Sequence, residues 1–133
     1  MRFLVFRLMT LPLLFAGLSP ASAAPAFEVE AICRTAIAAI MDRDPKMIKV
    51  SKNADDVLIL TYDRPIDNYI WTYRCRIDGD RVVWASEPGR WRESPKDDKI
   101  LFEVVDGGKQ LRIIAIHRNG SRAQQLFDRD KIL

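Results

Sequence analysis

One hydrophobic pattern of the chain has the helical period and lies at residues 29–41. Its apolar residues fall on one face of a helix: Val29, Ile32, Cys33, Ala36, Ile37, Ile40 and Met41. The acids Glu28 and Glu30 suit the first turn, where negative charge interacts favourably with the helix dipole. Asp44-Pro45 predicts the end of this helix, because the residue before a proline resists helical geometry.

From Met47 onward the pattern changes to alternation of apolar and polar positions, which predicts strands. Seven strands are expected, at about 47–52, 57–62, 70–77, 81–86, 99–105, 110–117 and 122–127. Three connections predict hairpins: Asp78-Gly79-Asp80, Asp106-Gly107-Gly108 and Asn119-Gly120, the last as a type I′ turn. Because every link is short, the strands should form an antiparallel meander. The predicted fold is α+β, with the helix packed on one face of the sheet.

The N-terminal residues 1–23 have the pattern of a secretory signal peptide. Arg2 and Arg7 give a basic start, residues 8–18 are mostly apolar, and Ala21-Ser22-Ala23 provides small residues for cleavage. The apolar run is too short to cross ~30 Å of hydrocarbon, and no later stretch predicts a membrane span. We therefore expect an exported protein, periplasmic or secreted, with one domain at residues 24–133.

The charge of the chain changes once this segment is set aside. The whole sequence has 21 Lys and Arg against 18 Asp and Glu, and its pI of about 9.0 suggests binding to nucleic acid. Removing Arg2 and Arg7 from the 21 basic residues leaves 19, against the same 18 acidic ones. Basic and acidic residues are also interleaved along residues 42–56, which is typical of a solvated surface of mixed charge. Nucleic acid is not an expected partner, because phosphate binding needs a positive face.

Cys33 and Cys75 are the two cysteines of the chain. Export to an oxidising compartment makes a disulfide between them the expected state. It would close a loop of about forty residues, and chain entropy alone would make it worth roughly 3–4 kcal/mol. A metal site needs more ligands than two cysteines and one histidine at unrelated spacings. No metal and no cofactor are therefore expected.

Arginine and aromatic residues are concentrated in the middle of the chain. Because Cys75 must reach the helix, Trp71 and Tyr73, which share its face of a strand, are expected in the core rather than in a ligand platform. Arg74 and Arg76 then lie on the opposite face.

Trp and Arg are enriched at binding hot spots, which makes Arg90, Trp91 and Arg92 in the irregular segment 87–98 a candidate binding surface, together with Arg74 and Arg76. The alternative is that Trp91 folds back and covers the edge of the sheet.

Four acids in predicted turns are further candidate binding residues: Asp55, Asp56, Asp78 and Asp80. In a meander the two turns lie at the same end of the sheet. The alternative is that these acids are solvated turn residues, as turn chemistry alone requires. A second group surrounds the loop at the opposite end, so it is not expected to join them: Tyr62, Asp63, Asp67 and Tyr69.

The sequence contains neither a G-x-S-x-G motif nor a phosphate-binding P-loop. His117 ends a predicted strand beside a turn, where a structural role is favoured over that of a catalytic base. The adjacent acids of Asp55-Asp56 and Asp97-Asp98 point in opposite directions on an extended chain, so neither pair forms a good acid–base dyad. We therefore expect a non-enzymatic module that binds a protein partner, with the oligomeric state left open.

Two alternatives to this expectation remain. The first is a secreted effector that binds a host protein through charged patches, which is consistent with small size, export and interleaved charge. The second is a small hydrolase that uses His117.

Five segments of the chain resemble a group of small exported proteins of alphaproteobacteria. They are Ala31-Ile32-Cys33-Arg34, Asp44-Pro45, Tyr73-Arg74-Cys75-Arg76, Val83-Trp84-Ala85-Ser86 and Gly89-Arg90-Trp91-Arg92. The resemblance covers most of residues 24–133 and implies the fold and the exported location. It supplies no catalytic residue.

Overall fold

The computed structural model describes residues 26–52 and 55–133, with Pro12 and Gly17 as isolated positions. Apart from those two positions, the expected signal peptide at residues 1–23 lies outside the described residues. The elements are α1 (Val29–Met41), β1 (Ile48–Lys52), β2 (Leu58–Asp63), β3 (Ile70–Asp78), β4 (Arg81–Ser86), β5 (Lys99–Val105), β6 (Gln110–Ile116), β7 (Arg122–Asp128) and α2 (Arg129–Ile132). In this part of the chain, no helix has the length and apolar character needed to cross a membrane.

The seven strands form one curled antiparallel sheet in the order β1 to β7, as the short connections predicted. Paired residues share a face, and the pairs Leu60–Tyr73 and Cys75–Trp84 mark the face toward α1, which we call the inner face. The β4–β5 pairing includes only the two residues at the start of β4. Beyond them β4 diverges from β5, and residues 87–98 connect the two strands.

The buried residues of α1 and of the inner face form one hydrophobic cluster. Cys33, Ile37 and Leu60 are completely buried in it. The predicted disulfide between Cys33 and Cys75 is present and connects α1 with β3 across a sequence separation of 42 residues. An α+β fold with an antiparallel sheet is thus confirmed.

The helix differs from its prediction at both ends. Val29, expected in the apolar stripe, is 46% exposed in the first turn. The helix ends at Met41 rather than at Asp44-Pro45, because Asp42 adopts a left-handed conformation (φ 54°). The Asp44 carboxylate instead accepts a hydrogen bond from the Lys46 amide, which begins a separate short 3₁₀ helix.

The prediction of a type I′ turn at Asn119-Gly120 is wrong. That turn requires positive φ at both central residues, and only Gly120 has it (φ 83°). The Gly120 amide donates to the His117 carbonyl, and the His117 amide donates to the Ser121 carbonyl. The loop is therefore one residue longer, with a left-handed glycine as its third residue. The Asn119 carboxamide oxygen accepts from the Ser121 amide, which stabilises this longer loop.

Candidate functional site

Three of the five predicted arginine and tryptophan candidates come together on the outer face of the sheet, opposite α1. The guanidinium carbons of Arg74 and Arg76 lie 4.7 Å and 4.5 Å from the centre of the Trp91 ring. We call these three residues the Arg–Trp stack. Val83 and Ala85, the neighbours of Arg76 and Arg74 on this face, are almost completely buried. Trp91 thus folds back, as the alternative from the sequence had it, but it covers the outer face of the sheet rather than its edge.

Ion pairs hold residues 87–98 against the outer face. The Arg74 guanidinium contacts the Glu87 carboxylate at 2.7 Å, and Arg76 pairs with Glu93. Each candidate arginine on this face is therefore neutralised by an acid of the same connecting segment. This arrangement explains the burial of the sheet beneath the segment better than it explains recognition of a partner.

Arg90 and Asp97 form a two-pronged pair at the edge of this segment. Two Arg90 nitrogens lie 2.7 Å from the two Asp97 carboxylate oxygens, and the Ser94 amide donates to the same carboxylate. The hydrogen bond from Arg90 is the main cause that lowers the pKa of Asp97 to about 2. Because the Arg90 guanidinium and the Asp97 carboxylate bind each other through two hydrogen bonds, this pair fixes the conformation of the loop between them.

The neighbouring acid, Asp98, pairs with His117 instead. The Asp98 carboxylate lies 2.9 Å from Nδ1 of His117, so the two adjacent acids have different partners and do not form a dyad with each other, although Asp97 lies in a bend rather than on an extended strand. A carboxylate of this kind can orient an imidazole for acid–base chemistry. In the described ranges, however, no hydroxyl or thiol is hydrogen-bonded to this ring. The hydrolase alternative thus has an oriented histidine but no adjacent nucleophile in the described chain.

Arg92 lies apart from the stack, on the other side of the connecting segment. Its guanidinium is 5.9 Å from the centre of the Trp84 ring. An open polar cavity of about 290 Å³ lies there, lined by Trp84, Arg92, Lys96, Asp97 and Asp98. Two cations and two carboxylates surround the cavity, so its charges balance and favour neither an anion nor a cation.

The turn acids are exposed, and the two turns lie at the same end of the sheet, as predicted. They are Asp55, Asp56, Asp78 and Asp80. Asp56 has a positive φ of 56°, a conformation that Asp tolerates in turns. Within residues 26–52 and 55–133, no group of three or more His, Cys, Asp or Glu side chains could hold a metal ion.

The opposite end of the sheet carries an exposed apolar surface that the sequence did not predict. Four residues of the β2–β3 hairpin are exposed, and we call them the tip cluster: Ile66 (93%), Tyr69 (55%), Ile70 (58%) and Trp71 (41%). The expectation that Trp71 lies in the core with Tyr73 is wrong. Trp71 does share the inner face with Tyr73, but it lies two residues nearer the hairpin end, beyond the buried part of that face.

Arg64, in the loop of the β2–β3 hairpin, contacts both aromatic rings of the tip cluster. Its guanidinium carbon lies 5.7 Å from the ring centres of both Tyr69 and Trp71, whose rings meet edge to face at 5.1 Å. Arg64 also binds the Asp67 carboxylate. Hydrogen bonds from Arg64 and from the Tyr69 amide lower the pKa of Asp67. These contacts give the aromatic rings a fixed arrangement before any partner binds.

A cleft lies behind the tip cluster, between the end of α1 and the first strands of the sheet. It has a volume of about 150 Å³ and is lined by Met41, Arg43, Tyr62, Arg64, Trp71 and Tyr73. The Arg43 guanidinium lies 5.0 Å from the centre of the Tyr62 ring. Sequence reasoning assigned Arg43 to a solvated surface of mixed charge. The pairing of Tyr62 with Trp71 across the hairpin is the signal that could have located the cleft.

Comparison with protein-family models, with curated proteins and with solved structures finds no match for this chain. The fold and the two surfaces define the class instead: a disulfide-linked α+β domain with an exposed arginine–aromatic hairpin. Its function must be inferred from these surfaces.

Proposed function

We propose that this protein is an exported, non-enzymatic binding module that contacts a protein partner through the tip cluster. One observation carries the proposal. Within the described chain, nine large apolar residues are exposed, and four of them lie within residues 66–71. Tyr69 and Trp71 are in contact on one face of the hairpin, Ile66 lies in the loop between the strands, and Ile70 lies on the opposite face. Exposed apolar residues concentrated at one place on a small protein are typical of an interaction surface, whereas scattered ones are not.

The chemistry of the patch supports the same proposal. Trp, Tyr and Arg are the residue types most enriched at binding hot spots, and Trp71, Tyr69 and Arg64 are in mutual contact. Because the Asp67 pair already fixes Arg64, little side-chain freedom is lost on binding. The buried disulfide is compatible with the oxidising compartment that export implies.

This proposal moves the contact surface from the Arg–Trp stack to the opposite end of β3. The stack has the residue types of a hot spot, but its arginines are paired with Glu87 and Glu93 of the same segment. A partner would have to displace these ion pairs before it gained any contact. The tip cluster can be covered without that rearrangement.

Partner capture with matched variants tests the proposal. The disulfide-bonded protein is immobilised and incubated with extracts of the producing cells and of their surroundings, and bound proteins are identified by mass spectrometry. The tip variant replaces Ile66 and Trp71 with serine. The matched control replaces Val104 and Leu126, two exposed apolar residues of β5 and β7, with serine.

We expect a partner that binds the native protein and the control variant equally, and the tip variant at least about 10-fold more weakly. A third variant carries Arg90→Ala and Trp91→Ala. If the partner is lost with this third variant and retained by the tip variant, the contact surface is the connecting segment 87–98 that carries Arg90 and Trp91, and the proposal is wrong. The proposal is also contradicted if the native protein captures no protein in greater amount than the tip variant does.

A further inference from the structure

We infer that the cleft behind the tip cluster binds the C-terminal aromatic residue of a polypeptide partner, holding its ring and its terminal carboxylate together. The inference rests on the proposed function and names the chemistry of the partner. It follows from the size of the cleft, from the aromatic side chains that line it and from the charge at its rim.

The size and the lining favour one aromatic ring. The volume of about 150 Å³ is that of an engineered protein cavity that holds benzene. The rings of Tyr62, Trp71 and Tyr73 line the cleft, and the Met41 side chain lines it beside the end of α1. Aromatic rings pack favourably against each other in edge-to-face or offset geometry, and thioethers pack well against rings.

The charge at the rim favours an anion beside that ring. Arg64 is neutralised by Asp67, but Arg43 forms no ion pair with any carboxylate of the described residues, and its guanidinium lies against the Tyr62 ring. Of the nearby acids, Asp44 binds the Lys46 amide and Asp42 is exposed at the end of α1. One guanidinium thus remains free to bind a carboxylate with two nitrogens.

Two phenol groups add further donors. Both side chains line the cleft. Neither the Tyr62 hydroxyl nor the Tyr73 hydroxyl forms a hydrogen bond with any residue that the structure describes. Burial raises the pKa of Tyr73, so its phenol stays protonated and able to donate. A carboxylate, which only accepts hydrogen bonds, matches a set of donors of this kind.

A ring and a carboxylate must therefore lie within a few bonds of each other in the ligand. The C-terminal residue of a chain that ends in Phe, Tyr or Trp has this arrangement, with the carboxylate on Cα and the ring on Cβ. An internal acid beside an aromatic residue is the main alternative in a polypeptide. A free aromatic acid is the alternative outside one.

Nuclear magnetic resonance titration of the disulfide-bonded, ¹⁵N-labelled protein tests the inference. The probe is N-acetyl-phenylalanine, and the matched control probe is its C-terminal amide. Ligands of this size reach a Kd on the order of 1 mM, which such titrations measure well. We expect the indole N–H signal of Trp71 to shift while those of Trp84 and Trp91, outside the cleft, stay in place. The amide should bind about 10-fold more weakly, since it cannot form the charge-assisted bonds.

Two arginine variants separate the cleft from the general charge of the protein. Arg43→Gln should lower the affinity for N-acetyl-phenylalanine about 10-fold, to that of the amide. Arg118→Gln, at an exposed turn residue of the β6–β7 loop, should leave it unchanged. If Arg43→Gln does not fold, the comparison of acid and amide on the native protein decides the matter alone.

Several outcomes would overturn the inference. Equal binding of acid and amide removes the role of the carboxylate, and an unshifted Trp71 signal removes the cleft. An amidated Glu-Phe dipeptide that matches the acid assigns the site to internal acids. Benzoate that matches it assigns the site to free aromatic acids. Tip-dependent capture of a partner together with any of these results leaves the proposed function intact, so the two failures can be distinguished.

Discussion

Replacement of both Cys33 and Cys75 by alanine is expected to lower the free energy of unfolding by about 4 kcal/mol. The two cysteines are 42 residues apart and completely buried. A cross-link across that separation removes loop entropy from the unfolded chain, and the entropy relation gives the stated value at 25 °C. Small domains are stable by about 5–15 kcal/mol in total, so the variant should still fold but lose a large fraction of its stability.

Urea unfolding followed by tryptophan fluorescence measures this loss. A urea dependence of about 2 kcal/mol per molar converts the expected change into a midpoint about 2 M lower. The dependence itself should become steeper, because the unfolded chain without the cross-link is less compact and exposes more surface. This second change reports on the unfolded state and separates loop entropy from lost packing.

The native protein in reducing agent provides the matched control. Reduction removes the cross-link but keeps both sulfur atoms in the core, whereas alanine leaves small cavities. If loop entropy dominates, the reduced protein and the double variant should unfold at nearly the same urea concentration. A double variant within about 1 kcal/mol of the oxidised protein would refute the reasoning about loop entropy.

Two further predictions concern the connecting segment over the outer face. Trp91→Ala should lower the stability by about 2 kcal/mol, because two cation–π contacts are lost and Val83 and Ala85 become exposed; urea unfolding measures it, and an unchanged midpoint means that the stack does not cover the sheet. The depressed pKa of Asp97, about 2, means that its pairing with Arg90 stabilises the fold above pH 4 and is lost as the pH falls toward 2. The melting temperature of native protein should decline across this range, and Asp97→Asn should show a smaller decline; parallel profiles contradict the assignment.

The strands were predictable because their signals are local. Alternation over five or more residues, with short Gly-containing turns at three of the six links, placed all seven strands within one or two residues of their observed bounds. The terminal helix α2 has no comparable signal, since four residues are too few for a helical period. It is stabilised by distant residues: Ile132 is completely buried, and its carbonyl accepts a hydrogen bond from Arg34, 98 residues away.

The candidate site was harder to predict than the fold, because burial depends on how far each element extends. Alternation correctly placed Trp71 and Tyr73 on the same face. It could not show that the buried part of this face ends between them, with Tyr73 5% and Trp71 41% exposed. The inner face is buried only as far along the strands as α1 covers it. Because Asp42 is left-handed, α1 ends about two residues earlier than Asp44-Pro45 predicted.

The disulfide between Cys33 and Cys75 affects both the stability of the core and the shape of the cleft. Met41 and Arg43 enter the cleft from the end of α1, and Tyr73 enters it from β3. The disulfide joins these two elements through Cys33, two turns before Met41, and through Cys75, two residues after Tyr73. It therefore limits how far the backbone at the end of α1 can move from β3, while the Arg43 guanidinium is placed by its contact with the Tyr62 ring. The backbone that carries the cleft is therefore ordered before a ring and a carboxylate enter it, which lowers the conformational entropy lost on binding.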